Sequence, residues 1–236
     1  MTLSRPFTRF ALTTGLLGAL LTVPVVAGAA NSPSVASIIR AANAQMLTQT
    51  SVHIDVVSVN KTTSSTIKVD LGVVKGDEYL KSGKMKVAIV VTSKAAYLSG
   101  NKLGLTTIMG LTSSQQTKIG AKWMEMLHGT VPYTNLAKNL TTAVFAQILP
   151  QVQGTKLSTS ADKAKDFQLS WTTSAGASTA TKNVLLISSG SKKLPISQTI
   201  TTSSGHGTTT YSKWDQGFSL TSPPAHDTVA YKAVFG

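Results

Sequence analysis

The chain has 236 residues and a mass of 24.7 kDa, enough to bury a full core without covalent staples, and it contains no cysteine. Disulfides, iron–sulfur clusters, thiolate zinc sites, a cysteine nucleophile and a lipidated cysteine are therefore excluded. The balance of 22 basic against 9 acidic residues, a net +13, directs the search toward anionic partners, while 33 threonines and 27 serines favour strands over helices.

Residues 1–30 join a basic start (Arg5, Arg9), an apolar run from Phe10 to Val26 and a small-residue end, Ala27-Gly28-Ala29-Ala30. This is the layout of a secretory signal, with cleavage expected after Ala29 or Ala30. The run is nearly long enough to span a bilayer, so a retained anchor is the rival reading, against which Pro24 and the Ala-x-Ala ending argue. Secretion or residence in the cell envelope follows as the expectation.

Past Pro33, Ser34 is placed to cap a helix in which Val35, Ile38, Ile39, Ala42 and Met46 share one face. From Val52 the period changes to two. Ile67, Val69, Leu71 and Val73 alternate with Lys68, Asp70 and Gly72, and Met85, Val87, Ile89 and Val91 repeat the pattern, which predicts a curved antiparallel sheet with one apolar face. At Val56-Val57, Val73-Val74 and Val90-Val91 both faces are apolar for one step, so the register there is left open to a shift by one. The pair Asp77 and Glu78, after Gly76, reads as a turn.

Between Leu103 and Leu149 alternation stops, and Ile108, Met109, Trp123, Met124, Met126, Leu127, Leu136, Leu140, Val144, Phe145 and Ile148 read as short helices broken at Gly110, Gly120, Gly129 and Pro132. The last of these helices is expected to end at Pro150. Strand patterns return with Phe167, Leu169 and Trp171, with Val184 to Ile187, with Leu194, Ile196 and Ile200, and with Thr208 to Trp214. The order of helix, strands, helices, strands predicts an α+β domain over 31–236 with a mostly antiparallel sheet and helices against its concave face. The polar stretches Asn60 to Ser65, Ser174 to Lys182 and Ser203 to Gly207 have hairpin-loop length, and a pseudo-symmetric two-sheet sandwich stays open as an alternative.

Catalytic constellations are sparse. His53, His128, His206 and His226 show no spacing that places two imidazoles on one metal, and the nucleophile-elbow, zincin and phosphate-loop signatures do not occur. No metal and no cofactor are expected. After residue 30 the only arginine is Arg40, which argues against nucleic-acid reading, since that relies on arginine forks and stacking aromatics. A non-enzymatic binding or carrier protein is the reading that remains.

The run Val69-Asp70-Leu71-Gly72 through Met85-Lys86-Val87-Ala88-Ile89-Val90-Val91, then Ala96-Tyr97-Leu98-Ser99-Gly100-Asn101, Gly120-Ala121-Lys122-Trp123-Met124 and the leucine-rich stretch ending at Leu149-Pro150 resemble the LppX/LprA/LprF/LprG envelope lipoproteins of mycobacteria and other actinobacteria. The resemblance implies a half-open β-barrel with helices across its mouth and a hydrophobic cavity that holds the acyl chains of envelope lipids or lipoglycans. By that likeness the cavity lining would be Ile67, Val69, Leu71, Val73, Met85, Val87, Ile89, Val91, Ile108, Met109, Trp123, Met124, Leu140, Val144, Phe145, Ile148, Phe167, Leu169 and Trp171. A monomer in transient contact with membrane, without a nucleic-acid partner, is the accompanying expectation. The segment Val26-Ala27-Gly28-Ala29 is similar to a lipobox with alanine where the lipidated cysteine would stand, so no covalent tether is expected. A cell-wall or surface protein binding acidic polymers through its lysines, or an envelope sensor on a similar fold, is the alternative function.

Overall fold

Ser34 opens the first helix as the spacing predicts: its side chain accepts from the Ser37 backbone N–H at 3.1 Å, and α1 (Val35–Leu47) buries Ile38, Ala42 and Met46. The structure, a computed structural model, describes residues 33–142, 144, 149–150, 154–160, 164–174 and 180–236. The export segment and most of the helix predicted to end at Pro150 lie outside the described residues. Two compact units are present, each discontinuous in sequence: one holds Gln49–Val144 and Thr209–Gly236, the other α1 and the described parts of 145–208.

The first unit is built on an up-and-down meander of β1 (Ser51–Asn60), β2 (Ser64–Gly72), β3 (Gly76–Ser82), β4 (Met85–Val91), β5 (Ala95–Gly100) and β6 (Trp123–Leu127). Each strand pairs antiparallel with the next, β6 after the two helices that follow β5. Short turns such as Gly72–Gly76, closed by the Gly72 N–H to the Lys75 carbonyl at 2.8 Å, keep consecutive strands adjacent. Between β5 and β6 lie α2 (Lys102–Met109) and α3 (Ser113–Ile119), and α4 (Val131–Ala137) follows β6. Gly110 ends α2 at φ 65°, the left-handed cap that glycine supplies without strain. Thr112 and Gln115 close a capping box on α3.

Several expectations are corrected here. Gly76-Asp77-Glu78 is the start of β3 rather than a turn, and Trp123–Leu127 is a strand rather than a helix. The eight residues between Gly120 and Gly129 are too few for a stable helix, but five of them are enough to pair along β5, where Leu98 opposes Met124 and Ala96 opposes Met126. Pro132 breaks nothing: it occupies the first turn of α4, where its missing N–H has no partner to lose.

The chain re-enters this unit in β11 (Gly205–Ser212), whose residues from Thr209 onward belong to it. It then runs as an irregular strap to a 3-10 turn at Ala225–Asp227, β12 (Thr228–Ala230) and α5 (Tyr231–Phe235). β12 pairs parallel with β6, Val229 opposite Met124, and the unit's strand order is β12-β6-β5-β4-β3-β2-β1-β11. α5 packs on α3, β6 and β12, and buries Val234.

In the second unit β7 (Lys156–Thr159), β8 (Phe167–Ser174), β9 (Ala180–Ile187) and β10 (Pro195–Thr201) form an antiparallel stack in the order β10-β9-β8-β7. Leu157, Leu169 and Leu185 stand opposite one another across three strands. Asp166 sets the turn geometry at one end, accepting from the Ser189 backbone N–H at 2.9 Å. The expected mostly antiparallel α+β architecture is present, with helices laid on an open sheet.

Candidate functional site

Pairing register defines two faces of the first unit. On one, Val52, Leu71, Gly76, Val91, Ala96 and Met126 form a cross-strand row, and Ile54, Val69, Glu78, Ile89, Leu98 and Met124 form the next. A third row is Val56, Ile67, Leu80, Val87 and Gly100. This face is apolar apart from Glu78, as period-two alternation in β2 and β4 requires. Asn101 seats α2 over one end of it: its Oδ1 accepts from the Gly104 and Lys86 backbone N–H groups at 2.9 and 3.1 Å, and its Nδ2 donates to the Lys84 carbonyl at 2.6 Å. Gly104 is needed there, because a Cβ would lie 2.3 Å from the Lys86 carbonyl oxygen and 2.7 Å from Val87 Cγ2.

Of the candidate lining, Leu71, Met85, Val87, Ile89, Val91, Met124 and Leu140 are buried in this unit and Leu169 in the second. Ile67, Val69, Ile108, Met109, Val144, Phe167 and Trp171 keep part of their surface accessible. Val73 does not continue the row: β2 ends at Gly72, and Val73 stands 58% exposed in the following turn, because the chain must reverse there to start β3. Trp123 is also displaced. As part of a strand it alternates with Met124, so it faces the reverse side, where it packs with Leu220 against Val90, Ala95 and Tyr97. Phe145 and Ile148 lie outside the described residues.

The reverse face is polar at one edge and strapped at the other. His53 sits between carboxylates, its Nδ1 2.7 Å from Asp70 and its Nε2 3.0 Å from Asp55. Next in the same row is Asp77, which accepts from the Asp70 backbone N–H at 3.3 Å. Burial, and then the neighbouring Asp70 charge, push the Asp77 carboxyl above the usual aspartate range, against the pull of that hydrogen bond and of His53. Such a group opposes folding once ionised: its penalty is absent below the ordinary pKa and grows as pH rises through the folded-state value. Asp77→Asn, which keeps the acceptor oxygen, is therefore expected to raise the melting temperature at pH 7 and to leave it unchanged near pH 3, read by calorimetry. Along the strap, Lys75 Nζ donates to the Phe218 carbonyl at 2.8 Å and lies 5.0 Å from the Phe218 ring centroid. The C-terminal strap carried no sequence signal beyond scattered apolar residues.

Among the described residues two open clefts are outlined, of about 240 Å³ between α2 and α3 and about 300 Å³ at Thr62, Thr63, Ser64, Thr66, Lys81 and Gly83. Of the apolar rows only Gly100 borders the first cleft, and no row residue borders the second. No group of three or more His, Asp or Glu side chains among them is arranged to hold a metal ion, and no helix among them is long and apolar enough to cross a membrane.

An open, mostly antiparallel sheet with an apolar face and short helices across it defines the class, an α+β fold. The same fold is found in the Mycobacterium tuberculosis lipoprotein LppX, to which this chain is similar with a TM-score of 0.50 and 15% identity, over 81% of this chain and 100% of that one. LprF from Mycobacterium bovis aligns with a TM-score of 0.44 and 15% identity, over 82% and 99% of the two chains. No protein-family model and no curated protein sequence matches the chain.

Proposed function

We propose that this protein is a non-enzymatic carrier that holds acyl chains of envelope lipids or lipoglycans on the apolar side of its sheet, outside the cytoplasm. The observation that carries the reading is the fold likeness to the lipoprotein LppX, which extends over the whole of that chain. Two local features support it. Ile67 and Val69 lie in the apolar rows yet remain partly accessible, and so do Phe167 and Trp171 on either side of the fully buried Leu169. Such side chains can exchange water for hydrocarbon at roughly 0.8 kcal/mol per methylene removed from water. The export-type segment 1–30, cleaved and without a lipidated cysteine, would make this a free rather than a tethered carrier acting as a single 31–236 domain and a monomer.

Organic extraction of the purified protein followed by mass spectrometry tests the reading. Acyl lipids are expected at near-stoichiometric amounts, and their recovery is expected to be unchanged by washing at high ionic strength, because chain burial is not screened. Extracts without lipid, or a bound polyanion that salt removes, would replace the carrier by a polymer-binding surface protein.

A further inference from the structure

Hairpin turns ordinarily carry polar residues, since their side chains face water. The turns at one end of the first unit's sheet obey this: Lys61, Thr62 and Thr63 join β1 to β2, and Gly83 and Lys84 join β3 to β4. The opposite end does not. Register brings the β2–β3 turn, the β4–β5 turn and the β6–α4 connection to that end, because Gly76 pairs with Val91 and Ala95 with Leu127. There Val73 and Val74 are 58% and 59% exposed, Leu127 is 59% and Val131 is 74% exposed.

These four side chains stand on a laced support rather than on loose loops. The His128 N–H donates to the Lys94 carbonyl at 2.8 Å and the Thr92 N–H to the Ala95 carbonyl at 2.9 Å. The Tyr133 hydroxyl donates to the Thr92 carbonyl at 3.0 Å. At strand spacing, the two apolar pairs are separated by roughly 15 Å, with Lys94 on the turn between them. Lys75 adjoins Val74, and Lys213 follows β11 at the same end, where the Asp215 N–H donates to the Ser51 carbonyl at 2.9 Å. Asp215, also at this end, is held by the Thr50 N–H and hydroxyl at 3.2 and 2.6 Å, and Asp70 and Asp77 stand one step further into the sheet beside His53.

We propose that this edge, with Val73, Val74, Leu127 and Val131 as insertion points and the exposed Lys94 and Lys213 around them, docks the protein on an anionic phospholipid bilayer. Exposed aliphatic tips enter the boundary between head groups and acyl chains, while lysines at the rim meet the phosphates, the combination on which interfacial binding depends. The chain's net charge, +13 in full and +11 without Arg5 and Arg9 of residues 1–30, attracts it to the same surface. The edge extends the carrier reading by giving it a place of exchange but does not depend on it: a chain that floats with vesicles and yields no lipid on extraction keeps the edge and loses the carrier.

The test is vesicle flotation of the full chain, with the N-terminus that its host leaves after export, on phosphatidylglycerol-rich and on pure phosphatidylcholine vesicles. Val73→Ser with Val74→Ser, and separately Leu127→Ser with Val131→Ser, are each expected to lower the bound fraction on anionic vesicles roughly tenfold. Lys94→Glu is expected to lower it roughly fivefold or more on anionic vesicles and to change nothing on phosphatidylcholine. Because the chain has no cysteine, Val74→Cys and Thr62→Cys take one environment-sensitive dye each. Emission should shift to the blue on anionic vesicles for the first and stay fixed for the second. Undiminished flotation of both double variants, or equal shifts at the two ends, overturns the proposal. So does unchanged flotation accompanied by loss of a dimer in size-exclusion chromatography, which would assign the edge to a second copy of the chain.

Discussion

Gly76→Ala should lower the melting temperature by roughly 6–12 °C. At Gly76 a Cβ would lie 2.3 Å from the Leu140 carbonyl oxygen and 2.8 Å from that of Asp70, both backbone atoms. Neither can turn aside as a side chain would, so the segment after α4 or the β2–β3 pairing has to move. Overpacking of this kind costs about 3 kcal/mol, and for a chain of this size each kcal/mol is about 2–4 °C. The position is not strained in its dihedrals; the cost is steric. Gly190→Ala is the control, because its Cβ would meet nothing closer than the Ser188 hydroxyl at 3.3 Å, and near-zero change is expected there. Equal melting temperatures for Gly76→Ala and wild type would mean that the Leu140 backbone does not seat against the sheet.

The same contact bears on function. Leu140 is buried at 2% exposure, and next to it Thr141 makes a parallel bridge to Gly72, so the chain leaving α4 closes one end of the apolar rows. A variant that lifts this segment would expose Leu71 and Val91, which are fully buried in wild type. Under the carrier reading Gly76→Ala alters lipid retention as well as stability, and extraction of the variant measures that separately.

Period-two alternation in β2 and β4 was readable because one face of each is apolar and the other carries Lys68 and Asp70 in β2 and Lys86 in β4. α1 was readable because a capping serine precedes apolar residues at three- and four-residue spacing. The ambiguous pairs needed tertiary information. Val90 and Val91 are both buried, Val91 on the apolar face and Val90 on the reverse under Leu220, and no local pattern announces a strap arriving from 130 residues away. Trp123 to Leu127 was misread because a run of large apolar residues fits a buried helix and a buried strand equally well, and pairing with β5 decides. In the candidate site, the apolar rows were legible; Glu78 was not, because its placement among them follows only from Gly76 starting a strand.

Glu78→Leu should stabilise the protein, against the usual direction of substitutions in a sheet interior. Glu78 stands between Val69 and Ile89 in register, its row continues with Ile54, Leu98 and Met124, and among the described residues no hydrogen bond or ion pair reaches its carboxyl. Burial alone pushes its pKa above the usual glutamate range, with no charge of either sign adding to the shift. Glu78 is half-buried, so its unpartnered carboxylate carries part of a desolvation cost that reaches about 1–3 kcal/mol when complete, and leucine removes that part while adding apolar contact. The pH dependence separates this cause from better packing. With the folded pKa raised, the folded state holds its proton to higher pH than the unfolded chain, so wild-type stability falls as pH rises from the ordinary value near 4.5 through the folded one. The advantage of Glu78→Leu should therefore be small at pH 4, grow across that window and level off above it. Glu78→Gln should gain less, since a buried amide still lacks partners. An advantage of the same size at pH 4 and pH 8 would assign the gain to packing, and a destabilised Glu78→Leu at pH 8 would mean that the carboxylate has a partner the apolar rows do not show.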